Sequence, residues 1–146
     1  MRNKVLFSIE KWHDARRPEL GRSTHDYGVV GSLASSGMGI VSTFYYDDFA
    51  FRDLASDLGA LLVKKCEDVK PDMILASCII QNGERNIKPA VYGYIKDELK
   101  IPVAMVWFES APDVVKWADS YALCVTLTIF IDTRSYWRQF SAWPER

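Results

Sequence analysis

Apolar residues fall along this chain in two alternating rhythms: short unbroken runs, and stripes at helical spacing. Lys4–Ile9 is a short apolar run and predicts a first strand, followed by a polar loop, Glu10–Ser23, that contains Pro18 and Gly21. Thr24 is placed to cap a helix over Asp26–Ser36, with Val29, Val30 and Leu33 on one side. Gly37 and Gly39 end it, because glycine enters the left-handed cap conformation without penalty. Ile40–Tyr46 is β-branched and aromatic and predicts a second strand, and Asp47 and Asp48 at its end favour the N-terminus of a following helix. The clearest periodicity comes next. Phe51, Leu54, Ala55, Leu58, Leu61, Leu62 and Cys66 recur at helical spacing, opposite Arg52, Asp53, Asp57 and Lys64.

Pro71 stops that helix, and Met73–Cys78 is an unbroken apolar run. A strand without alternation is buried on both faces, as in a parallel sheet covered by helices. After the polar loop Gln81–Lys88, Pro89 suits the first turn of a helix to about Leu99, with Val91, Ile95 and Leu99 in one stripe. Ile101–Trp107 predicts a fourth strand. Ser110 then precedes Pro112 and Asp113, a capping-box-like start for a helix ending near Ser120. Ala122–Leu127 is expected as the fifth strand, and the tail Asp132–Arg146 carries Tyr136, Trp137, Phe140 and Trp143 at spacings that suggest a final helix with an aromatic face. The alternation predicts a three-layer αβα domain around a mainly parallel five-stranded sheet, Rossmann-like or flavodoxin-like, spanning residues 1–146 as one unit. Strand order is not written in the pattern, so both topologies stay open.

Composition narrows the function classes. The chain has 146 residues, of which 49% are hydrophobic and 25% charged, a globular balance for one domain with its own core. A net charge of −1 argues against a nucleic-acid partner, which favours a basic face to displace phosphate counterions. No run approaches the roughly 18 apolar residues of a membrane span, and the N-terminus turns polar too soon for a signal peptide. Cys66, Cys78 and Cys124 lack metal-ligand or disulfide spacing and read as small buried thiols. A reduced, cytoplasmic setting without metal or cofactor is the economical expectation.

In an open α/β sheet, ligands bind beyond the carboxyl ends of the strands. That rule selects Glu10 and His13 after the first strand, Asp47 after the second, Gln81 and Asn82 after the third, and Trp107, Glu109 and Ser110 after the fourth as candidate ligand-binding residues. The loop after strand one is long for its kind at about 14 residues, and His13 there, beside Glu10 and Asp14, suits acid–base work. A solvated loop histidine explains His13 equally, turn chemistry explains Asp47, Gln81 and Asn82, and His25 reads as a residue at a helix start. Trp107 is placed either to stack on a ring or to fill the sheet end. Ser110 sits by a helix N-terminus, where free amides favour an oxygen ligand.

Several motifs are missing. No GxGxxG follows strand one, and there is no phosphate-binding GxxxxGK[ST] or GxSxG elbow. A phosphoacceptor receiver domain calls for an acidic pair after strand one and an aspartate at the end of strand three, yet strand three ends Ala76-Ser77-Cys78.

One resemblance stands out. Lys4-Val-Leu-Phe7, Pro71-Asp-Met-Ile-Leu-Ala-Ser77, Ile101-Pro-Val-Ala-Met-Val-Trp107 and Trp117-Ala-Asp119 resemble the N-terminal domain of GT-B glycosyltransferases, most closely the spore-maturation glycosyltransferase-like type. The similarity covers roughly residues 4–130, and Glu109 stands where that family often has aspartate. It implies a Rossmann-like fold and an acceptor-like cleft. The second domain, which in those enzymes generally carries the nucleotide-sugar site, is not part of this sequence.

The leading expectation is therefore a stand-alone module of that type, binding a small polar ligand or a protein partner and not catalytic by itself. Two alternatives stay open: an enzyme completed across an oligomer interface around His13 and Glu109, and an interaction or scaffold domain. Because a monomer rarely leaves several large rings together in water, Tyr136, Trp137, Phe140 and Trp143 are expected to form a homodimer contact.

Overall fold

Four of the five expected strands form where the apolar runs place them, and the fifth forms further along the chain. In a computed structural model of the chain, which describes residues 3–14, 16–37, 39–50, 57–77, 86–108 and 112–130, β1 (Asn3–Ile9), β2 (Gly39–Tyr45), β3 (Met73–Ser77), β4 (Val103–Trp107) and β5 (Leu127–Phe130) form one sheet. Every pairing is parallel and the order is β2-β1-β3-β4-β5. This order decides between the two open topologies. A Rossmann half places β1 between β2 and β4, whereas here β1 lies between β2 and β3, the flavodoxin-like arrangement. The chain therefore reverses its winding between β1 and β3, which puts at their carboxyl ends the switch point where open α/β sheets form a crevice.

The helices fall on both faces, as the double burial of β4 requires. Its five residues are all buried. One face packs Leu6, Ile74, Ala76, Val103, Met105 and Trp107 against α3 (Leu58–Val69), α4 (Pro89–Asp97) and α5 (Pro112–Ala122) through Leu62, Cys66, Tyr92, Ile95, Ala118 and Tyr121. On the other face Val5, Phe7 and Ile9 meet Val29, Val30 and Leu33 from a π-helical turn (Asp26–Val30) and from α1 (Gly31–Ser36) that continues it. Gly37 closes α1 with φ of 68°, a conformation glycine takes freely. Gly59 has a different role, because a Cβ there would lie 2.6 Å from Val91 Cγ2 and force α3 and α4 apart. Burial takes the Cys66 thiol, inside α3, up to a pKa of about 12.

Three boundaries differ from the sequence expectation. Ser23, not Thr24, caps the first helix: its Oγ accepts from the Asp26 N–H at 3.0 Å and donates to the Glu10 carbonyl at 3.1 Å. After the short α2 (Tyr46–Ala50), α3 starts afresh at Leu58 behind an Asp57 cap, whose Oδ1 accepts from the N–H groups of Gly59 and Ala60 at 2.8 and 3.2 Å. The fifth strand begins at Leu127 rather than Ala122. Tyr121 holds the last turn of α5 by donating to the Ile87 carbonyl at 2.6 Å. The chain then turns until Thr126 pairs with Val103, its N–H donating at 2.8 Å and its Oγ1 accepting at 3.1 Å.

Candidate functional site

Glu10 follows the last residue of β1 directly, so the parallel sheet aims its carboxylate into the crevice between β1 and β3. There it is buried, at 8% exposure. Tyr46, the first residue past β2, donates its hydroxyl to Glu10 Oε2 at 3.0 Å, and Ser77, the last residue of β3, donates to the same oxygen at 3.1 Å. His25 Nδ1 meets Oε1. The carboxylate at the end of β1 thus gathers groups from two other strand ends and from the start of the first helix. The His25 ring lies flat on Phe108, just past β4, with centroids 3.7 Å apart, which extends the cluster toward the fourth strand.

The electrostatics follow from these contacts. Burial pushes the Glu10 carboxyl up, but the His25 hydrogen bond and charge, with the Tyr46 hydroxyl, outweigh it and hold the group below its ordinary value. Asp47 goes the other way. Burial and the neighbouring Asp48 charge raise it, against the N–H groups of Trp12 and Lys11 that stabilise its anion. Those two N–H groups donate to Asp47 at 3.0 and 2.9 Å. Asp48 takes the Lys11 ammonium at 3.2 Å and the Trp12 indole N–H at 3.3 Å. The two acidic residues therefore fasten the long loop to α2. The loop closes on itself as well, through a Trp12–Arg22 bridge and the His13 N–H donating to the Gly21 carbonyl at 3.1 Å. Nearby, buried Asp26 accepts from the Arg22 guanidinium at 2.7 Å and from the Tyr45 hydroxyl at 2.8 Å. Burial and that bond to Asp26 raise the Tyr45 phenol.

Of the residues selected from sequence, Glu10, Asp47 and Trp107 lie at the carboxyl edge of the sheet, with Glu10 at the switch crevice itself. His13 is exposed on the loop. Gln81, Asn82, Glu109 and Ser110 lie outside the described residues, as do Tyr136, Trp137, Phe140 and Trp143 of the expected dimer contact. Trp107 is buried, stacked on Phe130 and edge-on to Tyr121, which favours its filling role, and its indole N–H finds no partner among the described residues. The strand-end rule also reaches Tyr46, directly after the second strand, but not Ser77, His25 or Phe108. Adjacency of β1 and β3 is the signal that unites them, and it becomes visible only with the strand order.

Among the described residues no cluster of three or more histidine, cysteine or acidic side chains has metal-binding proximity. No described helix is long and apolar enough to cross a membrane.

No family model and no curated protein matches the sequence. Solved structures do match the fold. The signal receiver domain of a modulated diguanylate cyclase from Desulfovibrio desulfuricans G20 superposes with a TM-score of 0.53 at 13% identity, over 97% of this chain and 90% of that one. The signal receiver domain of a signal transduction histidine kinase from Syntrophus aciditrophicus gives 0.51 at 14%, over 95% and 86%. The chemotaxis response regulator CheY4 of Vibrio cholerae gives 0.50 at 14%, over 97% and 98%. The fold is CheY-like.

These matches overturn the glycosyltransferase resemblance and the ligand-binding module built on it, and the structure shows why its motifs misled. Pro71 follows the left-handed Lys70 at the end of α3, and the Asp72 carboxylate accepts the Lys4 N–H at 2.7 Å while the Asp72 N–H donates to the Lys4 carbonyl at 2.8 Å. The pair stitches the starts of β1 and β3. The Pro102 carbonyl accepts from the Ile74 N–H at 2.9 Å and aligns β4, and on α5 Ala118 is buried while Asp119 faces outward. Pro71-Asp72 and Pro102 thus serve the construction of a parallel sheet.

Proposed function

We propose that the chain is a receiver-like interaction module of a signalling system, working without an aspartyl phosphate. The observation that carries this reading is the occupancy of the switch crevice. Where a phosphoacceptor receiver needs an aspartate at the end of β3, this chain places Ser77, whose hydroxyl is committed to Glu10. The receiver-domain likeness of the fold supports the signalling class. The interlocked carboxylate supports a static crevice, because a buried charge satisfied by three donors resists rearrangement. Output then comes from the surface of the domain and not from chemistry at the crevice.

The reading is tested by incubating the protein with a small-molecule phosphodonor and Mg²⁺ and recording intact mass under conditions that preserve acyl phosphates. The expected result is an unchanged mass, with unchanged amide exchange at residues 3–14 and 73–77. A phosphoryl adduct on a carboxylate would return the chain to the phosphorylated class.

A further inference from the structure

The outer edge of β2 is the feature left without a role. β2 pairs with β1 alone, and on its other side no backbone partner appears among the described residues. Its seven residues, Gly39-Ile-Val-Ser-Thr-Phe-Tyr45, carry no charge and no proline. Edge strands are normally blunted by lysine, proline, a bulge or a cover, because a free row of N–H and C=O groups invites another strand. β5, at the opposite edge, has four described residues. Among the described residues nothing pairs with the outer side of the seven-residue β2, and Ile40 on it is 51% exposed.

From this edge we infer that two copies of the chain join through β2, antiparallel about a two-fold axis at Ser42, so that one sheet runs through both. The residue order argues for a second copy over a foreign strand, because the segment is self-complementary in that register. Ile40 faces Phe44 of the other copy, Val41 faces Thr43, and Gly39 faces Tyr45. Side chains alternate along a strand, so each pair lies on one face of the sheet. Exposed Ile40 gains an aromatic neighbour, a β-branched pair sits beside it, and an aromatic residue covers the edge glycine. Phe49 enlarges the apolar surface on the Ile40 side: it stacks on Phe44 at 5.6 Å and is itself 37% exposed. Closed two-fold pairing uses the same patch twice and leaves no β2 edge open for further growth. Strand pairing alone buries a small interface, so association in the micromolar range is expected.

Sedimentation of the full chain from about 1 to about 100 μM tests this, an interval chosen to bracket weak association. A concentration-dependent dimer is expected, weakened at least about tenfold (about 1.4 kcal/mol) by Ile40→Lys. Register is tested by mild oxidation. Ser42→Cys lies on the axis and is expected to form an intermolecular disulfide, while Ile40→Cys, which faces Phe44, is not. Circular dichroism confirms that each variant folds. A monomer throughout the range overturns the inference, and so does a dimer indifferent to Ile40→Lys. Equal cross-linking at positions 40 and 42 overturns the register. A monomer whose 39–45 amides become protected only on adding an extended peptide assigns the edge to a foreign strand instead.

Discussion

At the carboxyl ends of β1, β2 and β3, buried polar groups meet one another: Glu10 receives His25, Tyr46 and Ser77, and Asp47 receives two backbone amides. At the end of β4, Trp107 is as deeply buried, but its neighbours are the rings of Tyr121 and Phe130 and its indole N–H is unpaired among the described residues. The same sheet edge thus has a saturated polar half and an aromatic half carrying one unmet donor. The winding reversal explains the split. Between β1 and β3 the connections leave in opposite directions and leave room for side chains to converge, whereas at the end of β4 Trp107 packs among the rings of Tyr121 and Phe130. Buried polar groups tolerate a low-dielectric site only when fully satisfied, so the polar half is the more fragile.

The contrast can be broken most forcefully at Glu10. Glu10→Leu leaves the buried Tyr46 and Ser77 hydroxyls without their acceptor, and a loss of about 3–5 kcal/mol in urea unfolding is expected. Glu10→Gln, which keeps a carbonyl oxygen for them, is expected to cost about 1–2 kcal/mol. Replacing Asp47 by alanine leaves the Lys11 and Trp12 amides unpaired. About 1–3 kcal/mol is expected there, with faster amide exchange confined to the loop after β1.

Acid separates the two carboxylates by sign. The Glu10 carboxyl is held below its ordinary 4.5, so it stabilises the fold above that pH and loses this contribution as pH falls through its lowered value. Asp47 is raised above its ordinary 3.8, so the folded state binds the proton more tightly there and acidification through that window favours folding. Glu10→Gln is therefore expected to flatten the loss of stability below pH 4.5, measured by urea unfolding between pH 3 and 7. An unchanged slope would show that Glu10 does not govern acid sensitivity. The smallest effect is expected in the aromatic half. Trp107→Phe removes the unmet donor along with part of the ring, and the two changes oppose each other to within about 1 kcal/mol.

What the sequence could disclose follows the same division. β3 and β4 were legible because Met73–Ser77 and Val103–Trp107 are unbroken apolar runs, and only a strand buried on both faces affords that. α4 was legible from Pro89 and its stripe. The fifth strand was placed too early because Ala122 and Val125 suit either a helix end or a strand, and the tertiary bond from Tyr121 to Ile87 decides between them. Glu10 was legible as a strand-end acid. Its pairing with Tyr46 and Ser77 was not, because they stand 36 and 67 residues away and Ser77 reads locally as an ordinary strand residue. The family motifs were legible and misassigned, since Pro71-Asp72 and Pro102 report how parallel strands begin and say nothing of what is bound at their other ends.

Cys66 offers a clock for the whole molecule. Its sulfur is enclosed by the helical face of the core and its thiol stays protonated up to a pKa of about 12, so at pH 8 it is a poor nucleophile while the domain is folded. An alkylating reagent in excess reaches it only in molecules whose α3 has lifted from the sheet. When reclosure is slow against capture, the alkylation rate at Cys66 equals the opening rate; when it is fast, the rate scales with the population of the open form. Varying the reagent concentration moves the measurement from one regime to the other. A single native thiol thus reports both how often the core opens and how long it stays open, without a dye or a denaturant.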